Sequence, residues 1–112
     1  MKIAIPTAQG MLCNHFGHCE IFTIYDVDMD AKTILATEEK TPPPHAPGVI
    51  PKWVGEQGVN IVLAGGMGHK AIEIFQQNSV DVVTGALPAS PEAIITDYLN
   101  GCLKTGANAC SH

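Results

Sequence analysis

The sequence predicts an α/β domain on a mixed five-stranded sheet of order 3-2-1-4-5 with strand 2 antiparallel, and three observations predict it. First, Val59 to Ala64 is short, β-branched and uncharged, then breaks into Gly65, Gly66 and Gly68 and restarts as a helix reaching Gln77. Such runs mark parallel strands covered on both faces. Second, Val80 to Thr84 repeats the buried character and is followed by Ser90-Pro91-Glu92, a helix start with a Ser cap, Pro at the first position and an acid near the positive end of the dipole. Third, Ile21 to Val27 alternates two unlike faces, turns through Asp28-Met29-Asp30 and pairs back through Thr33 to Glu39 as a hairpin with a charged edge.

The remaining elements fit that frame in order. Lys2 to Pro6 reads as the first strand, closed by Pro6, and Thr7 to Cys19 as the first loop. Thr41 to Gly48 contains three consecutive prolines, which stiffen it into an extended connector holding His45 at a defined place. Val49 to Gln57 is a short helix with Val49, Ile50, Trp53 and Val54 inward, Pro51 in its first turn and Gly58 as its stop. In the next helix Met67, Ala71, Ile74 and Phe75 fall at helical spacing from a start at Met67. Ile94, Ile95, Tyr98 and Leu99 give the last helix its inner face, and Gly101 closes it. Residues 1–101 therefore make one domain, and 102–112 a tail expected to be mobile without a ligand.

Composition narrows the function. Six lysines, no arginine and a formal charge of −5 argue against a nucleic-acid partner, whose phosphates need basic groups. No apolar run is long enough for a membrane span and no basic-apolar-small leader precedes the first strand, so the expected compartment is the cytoplasm. There Cys13, Cys19, Cys102 and Cys110 would stay reduced, as thiols or metal ligands. Four Cys, five His and four Met are a rich supply of ligands for a soft or borderline metal.

Those ligands are concentrated. Cys13-Asn14-His15-Phe16-Gly17-His18-Cys19 packs two thiols and two imidazoles into seven positions. With the predicted sheet order, that loop, the His45 connector and the glycine turn all leave the carboxyl edge of the sheet, where ligands of open α/β sheets bind. Cys13, His15, His18, Cys19, His45, Met67 and His69 could then share one cavity. The glycines would turn the chain tightly and expose backbone N–H groups at a helix N-terminus, a corner receptive to anions. His69 reads equally well as a solvated helix residue, and His45 as a residue that shapes its loop. The spacing of Lys70 excludes a Walker motif, and the first strand lacks the carboxylates a two-metal nuclease requires.

Asn14-His15-Phe16-Gly17-His18-Cys19 and Ala64-Gly65-Gly66-Met67-Gly68, with Pro43-Pro44-His45-Ala46-Pro47-Gly48 between them, resemble the dinitrogenase iron-molybdenum cofactor biosynthesis family, nearly end to end. That family includes NifX, NafY, the C-terminal region of NifB and the orange protein of sulfate reducers. The closing segment from Leu103 to His112 is similar to the tails of small stand-alone members. The resemblance implies a ribonuclease H-like three-layer fold without nuclease activity, not an enzyme but a carrier of a metal-sulfur cluster or its precursor, containing iron, molybdenum or both. It implies cofactor contacts at Met67 and Gly68 and metal contacts at His15 and Cys19, to which the reading of the residues adds Gly65 and Gly66 for the cofactor and Cys13, less typical of the family, His18, His45 and His69 for the metal. Cys110 and His112, two residues apart, would form an auxiliary metal site. Other readings are an interaction domain working with a partner ATPase and no cluster, or a simple zinc or thiol redox protein.

Overall fold

The computed structural model describes residues 1–12, 20–43, 48–86, 89–101 and 103. In chain order they form β1 (Lys2–Ala8), β2 (Met11–Leu12), β3 (Ile21–Asp28), β4 (Thr33–Lys40), α1 (Val49–Glu56), β5 (Ile61–Leu63), α2 (His69–Gln77), β6 (Asp81–Val83) and α3 (Pro91–Leu99). The six strands make one mixed sheet along the path β4-β3-β1-β5-β6, with β2 paired to β1 off that path. β3 runs antiparallel to β1 and β4, whereas β5 and β6 run parallel to β1. The carboxyl ends of β1, β4, β5 and β6 therefore lie at one end of the sheet.

The sixth strand was not expected. β2 is two residues inside the predicted first loop, antiparallel to the end of β1 through Thr7 with Leu12 and Ala8 with Met11. Its Leu12 N–H donates to the Ala89 carbonyl at 2.8 Å, a partner distant in sequence. β1 also runs past Pro6, which pairs with Phe22 of β3. The Asn60 N–H donates to the Lys2 carbonyl, so even-numbered β1 residues turn their backbone groups toward β5. The last of them paired with β5 is Ala4, so the missing N–H of Pro6 interrupts no paired residue of that ladder.

Two apolar clusters make the layers. On one face Phe22, Ile24, Ala4 and Val62 pack with Ile50 and Val54 of α1 and Phe75 of α2. The Phe22 and Trp53 rings, 5.6 Å apart and tilted by 59°, hold α1 over the sheet. On the other face Ile3, Ile5, Tyr25, Val27 and Leu63 meet Ile94, Ile95 and Leu99 of α3. The alternating faces of β3 divide accordingly, with Phe22 and Ile24 in the first cluster and Tyr25 and Val27 in the second.

Several boundaries differ from the sequence reading for identifiable reasons. Val49 is exposed and Pro51 buried, because α1 starts at Val49 behind a left-handed Gly48 and turns its second and third residues inward. β6 is the last strand of its path, with Asp81 exposed and Val82 and Val83 half-buried, so it is not a fully covered strand. α2 starts at His69, two residues later than Met67. Ser90 caps α3 as expected, its Oγ accepting from the Ala93 N–H at 3.2 Å.

Candidate functional site

The corner between β5 and α2 is held from one side by backbone. The Ala64 N–H donates to the Val83 carbonyl at 2.8 Å, the Ala86 N–H to the Ala64 carbonyl at 3.1 Å, and the Gly85 N–H to the Gly65 carbonyl at 2.7 Å. Beneath it lies the Met67 side chain, 1% exposed and in the same cluster as Val62 and Phe75. Met67 is thus the side-chain anchor of the corner, and what it offers outward is backbone. Gly65 and Gly66 are buried, Gly68 half-exposed, and His69 and Lys70 exposed.

The sequence reading gave Gly65, Gly66 and Gly68 a tight turn with exposed N–H groups, whereas Gly65 and Gly66 are buried. None of Gly65, Gly66 and Gly68 has a left-handed φ; the left-handed residue here is Gly85, at φ 83. Gly68 sits at φ −68, ψ 154, an extended conformation open to any residue, and a Cβ there would meet nothing within 4 Å. It is the N-cap of α2, without a side-chain cap and without an acid in the first turn. The Ile72 N–H donates to the Gly68 carbonyl at 3.1 Å, so the N–H groups of His69, Lys70 and Ala71 begin the helix without an acceptor inside it. The positive end of the dipole and a first turn without an acid favour an anion at this end of α2.

Of the residues assigned to a metal, His69 is described, on the exposed first position of α2. Cys13, His15, His18, Cys19, His45, Cys110 and His112 lie outside the described residues. Among the described residues no group of three or more His, Cys, Asp or Glu side chains is placed to hold a metal ion. The attachment points of the ligand-rich segments are described. The chain leaves at Leu12, tied to Ala89, and returns at Glu20, whose N–H donates to the Thr7 carbonyl at 2.9 Å and whose Oε1 accepts from the Gln9 N–H at 2.8 Å. The His45 connector begins after Lys40, level with Phe22 and thus with Pro6. Both segments start from the sheet end that carries the Gly65–Gly68 corner. Gly85 is the site residue the sequence reading missed; its only local sign is a glycine directly after the last strand.

The family model described as "Dinitrogenase iron-molybdenum cofactor" matches residues 1–101. The chain belongs to that family. The protein MJ0580 of Methanocaldococcus jannaschii, itself uncharacterised, is 29% identical over 107 residues, covering 93% of this chain and 90% of the relative. Among solved structures, the crystal structure of PH0822 superposes with a TM-score of 0.85 at 30% identity, covering 95% of this chain and 96% of that one. The apo orange protein of Desulfovibrio gigas superposes with a TM-score of 0.70 at 19% identity, covering 96% and 93%. This last likeness is one of fold. Among the described residues no helix is long and apolar enough to cross a membrane.

Proposed function

We propose that this family member is a non-catalytic carrier of a metal-sulfur cluster or precursor, of the iron-sulfur or thiomolybdate type. The observation that carries the reading is the uncapped, sterically open N-terminus of α2 at Gly68, in a chain whose family match spans residues 1–101. In this reading the cargo's anionic sulfides rest on backbone N–H groups of the Gly65–Gly68 corner, and thiolates and imidazoles from Cys13, His15, His18, Cys19, His45 and His69 reach its metal. Cys110 and His112 serve as an auxiliary site and the carrier works in the cytoplasm; the alternative, an interaction domain acting with a partner ATPase, holds no cluster. The ribonuclease H-like three-layer fold implied by the family is part of the same reading, with cluster holding in place of hydrolysis.

Anaerobic purification followed by parallel reconstitution with iron-sulfide and with thiomolybdate tests it. The expected result is a coloured protein whose absorption and metal content survive desalting in at least one arm. Colourless protein in both arms, with metal below one atom per several chains, would overturn the carrier reading. Zinc bound without colour would identify the simpler metal or thiol protein instead.

A further inference from the structure

α2 and α3 end in the same way. Each closes on an asparagine, Asn78 with ψ 17 and Asn100 with ψ 0, followed by a left-handed residue, Ser79 at φ 63 and Gly101 at φ 71. Each asparagine reaches back one turn, Asn78 Nδ2 donating to the Ile74 carbonyl at 2.8 Å and Asn100 Nδ2 to the Thr96 carbonyl at 3.0 Å. The next backbone N–H is also engaged, that of Ser79 by the Gln76 carbonyl and that of Gly101 by the Tyr98 carbonyl, both at 3.1 Å. These bonds satisfy carbonyls that a helix end otherwise leaves open. The two caps differ in their surroundings. Asn78 is half-buried, and a Cβ on Gly55 of α1 would come within 3.2 Å of it. Asn100 and Gly101 are exposed, and a Cβ on Gly101 would meet nothing within 4 Å.

We infer that Asn100–Gly101 is a site of spontaneous modification by water, deamidation through a cyclic imide, which the last turn of α3 holds shut and local fraying opens. In the reaction the Gly101 nitrogen bonds to the side-chain carbonyl carbon of Asn100, and the side-chain nitrogen leaves as ammonia with the Gly101 proton. Water then opens the imide at either carbonyl, leaving aspartate or isoaspartate at position 100, with no oxidant or reductant involved. Glycine leaves the attacking nitrogen without a flanking side chain, whereas the Ser79 side chain shields the equivalent nitrogen in α2. Closing the five-membered ring requires the Gly101 nitrogen to eclipse the Asn100 Cβ. At ψ 0 it eclipses the Asn100 nitrogen instead, and its N–H is held by Tyr98. The formed cap is thus out of reacting geometry, and the reaction reports opening of the final turn, as helix ends open locally. Either product favours further opening, because a carboxylate replaces the donor to Thr96 and sits at the negative end of the α3 dipole.

The test incubates the metal-free full chain and a synthetic peptide of residues 97–103 side by side at neutral pH under reducing conditions. Aspartate and isoaspartate at position 100 are read by mass spectrometry of the peptide and of proteolytic fragments of the chain. Both should react at Asn100, the folded chain more slowly by about tenfold to a thousandfold, the range between two lost hydrogen bonds and wider local unfolding. In urea that unfolds it, the chain should match the peptide. Asn78 should keep its amide in the folded chain while Asn100 reacts. Asn100→Asp, which carries the charge of the product, should lower the unfolding midpoint by about 4 °C. A folded chain that reacts as fast as the peptide, or more than about a thousandfold more slowly, would overturn gating by local fraying. Equal reaction at Asn78 would overturn the role given to Gly101, and an unchanged midpoint in Asn100→Asp would overturn the loosening of the turn by its product.

Discussion

Substitution of Gly68 by Asp separates the anion-binding role of the α2 corner from its structural role. The backbone at φ −68, ψ 154 accepts any residue and a Cβ meets nothing within 4 Å, so no strain or clash arises. An Asp N-cap is worth a few tenths of a kcal/mol over Gly, its charge adds about 0.5 kcal/mol against the helix dipole, and the loss of glycine's freedom in the unfolded chain adds about 0.5 kcal/mol more. The metal-free Gly68→Asp protein should therefore be more stable by about 1 kcal/mol, or about 4 °C in midpoint.

The same carboxylate occupies the place proposed for the cargo's sulfides. At an effective dielectric of about 20, like charges about 4 Å apart repel by about 4 kcal/mol, roughly a thousandfold in affinity. Gly68→Ala, which exchanges a slightly worse cap for a stiffer unfolded chain, should stay within about 0.5 kcal/mol of the parent. Thermal unfolding of the metal-free proteins and metal retained per chain after anaerobic reconstitution and desalting provide the two readouts. A Gly68→Asp protein that is more stable and still retains cluster like the parent would refute the anionic corner.

Other outcomes follow from the same structure. Met67→Ala removes a side chain 1% exposed beneath the corner and should cost about 2–5 kcal/mol by denaturant unfolding; a cost under 1 kcal/mol would mean that Met67 does not anchor the turn. Ser90→Ala should cost about 1 kcal/mol, because the Ala93 N–H loses its acceptor at 3.2 Å, and the amide exchange of Ala93 should quicken. His15→Ala and Cys19→Ala should lower cluster retention while changing metal-free stability by less than about 1 kcal/mol, and large destabilisation would identify them as packing residues. Folding holds the Tyr25 proton more tightly than the unfolded chain does. Its contribution is therefore complete below pH 10 and declines as pH rises toward the raised folded value, by at most about 1.4 kcal/mol per pH unit, and Tyr25→Phe should remove that slope from urea unfolding between pH 9 and 11.

Elements specified by local chemistry were legible in the sequence. The Ser90 cap, the β3–β4 hairpin, the antiparallel placement of β3 and the left-handed Gly58 after α1 are decided by a few neighbouring residues. Features decided by distant partners were not. β2 is two residues long and its Leu12 N–H is satisfied by Ala89, so no periodicity announces it. β6 has the composition of a covered strand, yet at the end of the path it buries Val82 and Val83 only in part. Met67 falls in phase with Phe75 and so reads as helical. Its burial comes instead from a turn that tucks it against the same core.

The candidate site shows the same limit in a sharper form. Composition marks a glycine but not the reason for it. A glycine that supplies a left-handed turn and one that keeps space open are identical letters, and the sequence reading gave Gly65, Gly66 and Gly68 one shared role, a tight turn with exposed N–H groups. In the folded chain the left-handed role falls to Gly85, whose N–H reaches the Gly65 carbonyl at 2.7 Å and helps fix the corner from the neighbouring strand. Gly68, freed from any conformational demand, is needed by neither the fold nor the packing. A position where the structure tolerates a side chain and a better cap would add stability is a sensitive place to look for function, because only ligand binding would penalise the substitution.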